Sequence, residues 1–108
     1  MAAADKVRAL IGMALRSRAA ALGRHACRRA ARQGQLYALL VASDAGSSAA
    51  RDCGAGHGVR LLQAGLDKQQ LGELTGREQL AALGITDAQL AAGLERVAAP
   101  LQESRERS

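Results

Sequence analysis

The stretch QGQLYALLVASD, residues 33–44, holds seven consecutive apolar side chains from Leu36 to Ala42, closed by Gly34 on one side and by Ser43-Asp44 on the other. A run of this length with no polar alternation, bounded by turn-forming residues, reads as a β-strand covered on both faces. Strands of that kind belong to sheets with helices packed against them. Upstream, Val7, Leu10, Ile11, Ala14 and Leu15 fall at helical spacing behind Asp5, a fair N-cap, and predict a helix over about 6–20. Gly23 interrupts it, a second helix follows over about 24–33, and Gly34 stands where a glycine just past a helix belongs. Downstream, GSSAARDCG (46–54) reads as a short helix and VRLLQA (59–64) as a strand. DKQQLGELTG (67–76) is a helix with Asp67 at its N-cap and Gly76 just beyond its end. LAALGI (80–85) is a third strand. A Thr86-x-x-Gln89 capping box opens the last helix, which stops near Pro100.

The order ααβαβαβα predicts an α/β fold, a three-layer α/β/α sandwich around a small mixed central sheet. At 108 residues the chain has room for one core. A single domain over 1–100 is expected, with LQESRERS (101–108) as a disordered tail. No internal repeat is present. Hydrophobic residues make up 48% of the chain, yet 25 of them are Ala and 16 are Leu, with no Phe or Trp and Tyr37 as the only aromatic. Small side chains let helices lie close to a sheet, while each buries little area.

The net charge of +5 favours a polyanionic partner, and its distribution is informative. From Lys6 to Ser43 there are eight Lys or Arg residues and no acid. From Asp44 to Ser108 there are seven against nine acids. The basic character therefore belongs to the N-terminal part. Two cysteines, Cys27 and Cys53, do not make a disulfide framework. RALIGMALRSR is short and flanked by Arg, unlike a secretory core, and no run approaches 18 apolar residues, so a cytoplasmic protein without a membrane span is expected.

The densest charge lies in LGRHACRRAARQG (22–34). At about 100° per residue, Arg24, His25, Arg28, Arg29 and Arg32 share an arc of about 140°, and Ala26, Cys27, Ala30 and Ala31 occupy the opposite side. The inner face is made of small residues throughout. The outer face is a cationic stripe with no acid at i+4 to neutralise it. Arg24 and His25 oppose the helix macrodipole, a misplacement that an anion docked on the free N–H groups of the first turn would relieve. Arg, far more frequent here than Lys, suits bidentate contact with phosphates and guanine edges. Charge runs are ordinarily solvated faces, which is the alternative for this helix. With one aromatic, the chain lacks the platforms of an aromatic RNA-recognition sheet or of single-strand binding by stacked bases. A plain helix-turn-helix leaves no place for the strands. Recognition of structured RNA by cations and a helix N-terminus remains.

These residues, taken in order, resemble the kink-turn-binding ribosomal-protein superfamily, and more closely its bacterial YlxQ-type branch. The shared features are Gly23 opening the second helix, Gln33-Gly34 turning into the strand, and the apolar run Leu36 to Asp44 ending in Ala-x-Asp. Cys53, Val59 to Leu62 and the LGxxxG segment Leu71-Gly72…Gly76 complete them. The resemblance covers about residues 6–98. It implies an α/β/α sandwich that binds a bent or looped RNA through the N-terminus of the second helix and the loop before the last strand. The family's helix motif, Gly-x-Asn-Glu-x-x-Lys, falls on Gly23, His25, Ala26 and Arg29. Its glycine and basic position are kept, while His25-Ala26 replaces the pair that reads sheared G·A bases. The loop GREQ (76–79) offers Arg77 where apolar residues are common. Both departures exchange base readout for charge and imply RNA binding with relaxed sequence demand.

Other constellations are weaker. His25, Cys27, Cys53 and His57 lack the spacing of a metal knuckle, so no metal is expected, and Cys53–His57 has no third residue to orient a nucleophile. In CGAGHGV (53–59) the glycines precede a strand, the reverse of a dinucleotide fingerprint. Asp44 stands where α/β folds bind ligands, but alone it makes no enzyme. The expectation is a monomeric, non-catalytic protein without cofactors that binds structured RNA in a ribosomal or other ribonucleoprotein context. Gly23, Arg24, His25, Arg28 and Arg29 would be central, with Arg32, Lys68 and Arg77 flanking. The alternative is a protein-interaction adaptor of the same fold that sets its basic face on an acidic partner.

Overall fold

The computed structural model describes residues 3–46 and 58–100. The helix expected over 46–54 and the tail 101–108 lie outside the described residues, apart from Gly46, as do Cys53 and His57. The elements are α1 (Ala3–Arg16), β1 (Ala20–Leu22), α2 (Gly23–Arg32), β2 (Ala38–Val41), β3 (Arg60–Gln63), α3 (Lys68–Thr75), β4 (Ala82–Ile85) and α4 (Ala88–Val97). The strands form one mixed sheet in the order β1-β4-β2-β3. β4 is antiparallel to both β1 and β2, and β3 runs parallel to β2.

The apolar run 36–42 supplies β2, every residue of which is buried. Its side chains alternate between two cores. Ala38 and Leu40 join Leu83 and Ile85 of β4 beneath Val7, Ile11 and Ala14 of α1, Leu71 of α3 and Leu94 of α4. Leu39 and Val41 point the other way, toward Cys27, Ala30 and Ala31 of α2. Three helices therefore cover one face and α2 covers the other, which is the α/β/α sandwich expected. Backbone bonds from Tyr37 N to Ile85 O and from Ala42 N to Ala81 O (both 2.9 Å) carry the ladder past the ends of β2.

The periodicity misplaced one element. Ala19, Ala20 and Ala21 are strong helix formers, and the pattern ran the first helix on to residue 20. Instead α1 ends at Arg16 and residues 20–22 form an edge strand, with Ala20 opposite Ile85 and Leu22 opposite Leu83. Tertiary pairing overrides local propensity here. The break is made by Arg18, which adopts φ = 60°, while the N–H groups of Arg18 and Ala19 return to the carbonyls of Leu15 and Ala14. That is the hydrogen-bond pattern of a helix closed by a left-handed residue. Two caps also move. Helix α1 already includes Ala3, so Asp5 lies in its first turn rather than before it, where its charge still suits the macrodipole. The cap of α4 is Asp87, not Thr86: its Oδ1 accepts from Gln89 N at 2.8 Å and Leu90 N at 3.0 Å. Asp67 caps α3 as expected, in a reciprocal box with Gln70, and Gly76 closes it at φ = 78°. Among the described residues, no helix is long and apolar enough to cross a membrane.

The small inner face of α2 meets a matching gap in the sheet. A Cβ added to Gly84 would stand 2.5 Å from Leu36 Cδ1, 3.1 Å from Cys27 Sγ and 3.4 Å from Ala21 Cβ. Gly84 thus lets Cys27 and the alanines of α2 approach the sheet closely, with Leu36 packed into the same gap. Replacing it by valine overpacks this contact. Gly84→Val is expected to lower stability by about 1–3 kcal/mol, read as a reduced urea midpoint with an unchanged slope.

Candidate nucleic-acid interface

The stripe predicted for residues 24–33 is present. Cys27, Ala30 and Ala31 are buried and Ala26 is half-buried, while Arg24, His25, Arg29 and Arg32 are exposed and Arg28 is half-buried. Cys27 faces inward, its Sγ donating to Ala21 O at 3.4 Å, on the side of the helix away from His25. Helix α2 starts directly from β1. Gly23 takes φ = 90°, which reverses the chain from strand to helix with no connecting loop. Leu22 occupies the N-cap and has no side-chain hydrogen bond to offer, and the first turn contains no acid. The first-turn N–H groups have no acceptor within the helix, and the exposed residues Arg24 and His25 lie beside them.

The sheet register places two further segments beside this helix start. Because Leu22 pairs with Leu83, Gly23 lies next to the chain that leads into β4. That chain, residues 76–81, is held down at several points. The N–H groups of Gly76 and Arg77 both return to Gly72 O, the latter at 2.8 Å. Leu80 N donates to Lys68 O at 3.0 Å. Lys68 N in turn donates to Asp44 Oδ1 at 2.9 Å, and Ser43 N to Leu66 O at 2.9 Å. The start of α2, the 76–81 loop and the start of α3 therefore share the edge where β1 and β2 end and β4 begins. Asp44 has a structural task on this edge, as a carboxylate on the first N–H of α3.

Of the predicted residues, Gly23, Arg24, His25, Arg77 and Lys68 belong to this edge, and Arg28 and Arg29 lie one turn along α2. Arg32 does not: eight residues from Arg24, it is about 12 Å away at the far end of the helix. Residues missed in the sequence are Gln69 and Gln79. With Arg77 and Glu78 they line an open depression. Their amides carry donors and acceptors suited to base edges, but nothing in a lone Gln marks it before the loop is folded. Among the described residues, no three His, Cys, Asp or Glu side chains gather as metal ligands.

No family model matches the chain, and no curated protein is similar to it. Among solved structures, a protein of unknown function from Bacillus halodurans superposes with a TM-score of 0.72. It is 23% identical, over 84% of this chain and 94% of that one. At this identity the likeness establishes a shared fold: both are α/β domains of the same layered build.

The position of Arg77 depends on Gly72. A Cβ there would stand 2.6 Å from Glu78 O and 2.7 Å from Arg77 O, backbone atoms with little freedom to yield. Gly72→Ala is expected to cost about 1–3 kcal/mol in thermal unfolding. It should also displace the amide resonances of residues 76–80 more than those of β2.

Proposed function

We propose that this protein is a non-catalytic binder of structured RNA, docking a bent or looped, kink-turn-like element on the edge formed by the start of α2 and the 76–81 loop. The observation that carries this is the acid-free N-terminus of α2, where Leu22 caps no N–H with its side chain and Gly23 (φ = 90°) is followed by the exposed Arg24 and His25. A helix start built for stability would hold an acid or a capping side chain there. A phosphate is an acceptor suited to helix N-terminal N–H groups and brings the negative charge that a helix start favours. Arg29 follows on the exposed face and Arg77 and Lys68 flank it, giving a curved line of cations suited to a folded backbone rather than a straight helix.

Membership of the YlxQ-type branch of the kink-turn-binding superfamily fits this site, as does a ribosomal or other ribonucleoprotein context in the bacterial cytoplasm. With His25-Ala26 in place of a base-reading pair, affinity should come mainly from phosphates and depend weakly on the bases of the loop. Titration of a kink-turn hairpin at several salt concentrations tests this. If about four phosphates are neutralised, log affinity should fall against log salt with a slope of about −3 to −4. Arg24→Ala/Arg29→Ala should weaken binding and flatten the slope by about two. An affinity and slope unchanged in the double variant would exclude this face.

A further inference from the structure

Helices α1 and α2 end at the opposite pole of the sheet, where β1 and β2 begin, and they end by the same hydrogen-bond pattern. In α2, Gly34 N returns to Ala31 O and Gln35 N to Ala30 O, and Gly34 has φ = 71°. In α1, Arg18 N returns to Leu15 O and Ala19 N to Ala14 O, and the left-handed position, φ = 60°, is occupied by Arg18. Arg18 is the one non-glycine residue with positive φ among the described residues. Glycine fills this slot in α2 at no steric cost, so an arginine there is held against local conformational preference. The macrodipole of α1 does not explain it, because Arg16 already places a cation in the last helical turn.

Around it lie the chain's other features that the first edge leaves unused. Arg16, Arg18 and Arg32 are all exposed, and Arg32 is the residue that α2 carries away from the first edge. Tyr37, the only aromatic residue, is 45% exposed at the entry to β2. The row Ala20–Ile85–Ala38 runs across β1, β4 and β2, so the backbones before β1 and β2 are about 10 Å apart, two strand spacings. The nearby acid Asp87 is committed to the N–H groups of α4, and Arg60 is paired with Glu95 at 2.8 Å. One aromatic cannot build a stacking sheet, but an exposed ring at the pole where Arg18 and Arg32 close their helices can hold one base while the guanidiniums hold phosphates of the same strand.

We infer that this pole, Tyr37 with Arg18 and Arg32, binds a single-stranded segment of RNA, so that the protein grips a folded element at one edge and a flanking strand at the other. This second contact presupposes the RNA-binding function proposed above. Tyr37 is the only intrinsic fluorophore, so its emission reports this pole alone. Octauridylate should quench Tyr37 saturably, and should do so equally in the Arg24→Ala/Arg29→Ala variant. Tyr37→Leu should weaken octauridylate, measured by anisotropy of a labelled probe, by about fivefold or more. Arg18→Gly should weaken it too while raising the melting temperature, a combination that a purely structural Arg18 would not give. Absence of octauridylate binding, or binding that is lost with Arg24 and Arg29 and leaves Tyr37 emission unchanged, overturns the second contact. If a kink-turn hairpin still binds in that case, the first edge stands; if neither RNA binds, the RNA-binding function falls with it.

Discussion

The close seat of α2 on the sheet is the constraint on which the rest of the structure depends. It rests on Cys27, Ala30 and Ala31 meeting Ala21, Ala82 and the bare backbone of Gly84. Leu36, Leu39 and Val41 are buried in the same layer, so its stability combines the close approach of small residues on α2 with aliphatic area from the sheet side. The opposite layer is built differently, with Ile11, Leu40, Leu71, Leu83, Ile85 and Leu94 all buried. The thin layer is the one that carries charge. Holding α2 tight to the sheet fixes its start at the end of β1, beside the chain entering β4. It also leaves Arg24, His25, Arg29 and Arg32 exposed on the outer face of the helix.

That arrangement sets local stability against binding. Arg24 and His25 stand at the positive end of a helix dipole whose first turn contains no acid and whose N-cap, Leu22, makes no side-chain hydrogen bond. Arg18 stands in a backbone position that glycine would occupy more comfortably. The other capped helix starts of the same chain follow the ordinary rules: Asp67 and Gln70 close a reciprocal box on α3, and Asp87 caps α4 with two bonds. Departures from local preference at the two charged poles, beside elements that obey it, are what binding surfaces produce.

Much of this was legible in the sequence, for physical reasons. The run Leu36–Ala42 could only be a strand covered on both faces, and it became the middle of the sheet. The separation of cations from small residues between Arg24 and Arg32 follows from helical angle alone, and burial reproduces it except at Ala26 and Arg28, which are both half-buried. β1 was not legible, because three alanines carry no strand signal and their state is decided by pairing with Leu83, Gly84 and Ile85 more than sixty positions away. The caps at Asp5 and Thr86 were each misplaced by a short distance, since several residues near those helix starts can cap and only tertiary position chooses among them. The grouping of Lys68 and Arg77 with Gly23 was suggested by likeness to a family. Its physical basis, the backbone bonds that hold residues 76–81 on Gly72 and Lys68, appears only in the folded chain.

The central claim is that the start of α2 and the loop before β4 form one surface that receives structured RNA. Backbone amide shifts of the full chain, followed as a kink-turn hairpin is added, test it most directly. The largest changes are expected at Gly23, Arg24, His25 and Ala26 together with Arg77 to Ala81, moving over the same range of RNA concentration. Changes confined to α1 and α4 on the other side of the sheet, with the amides of 23–26 unmoved, would contradict it.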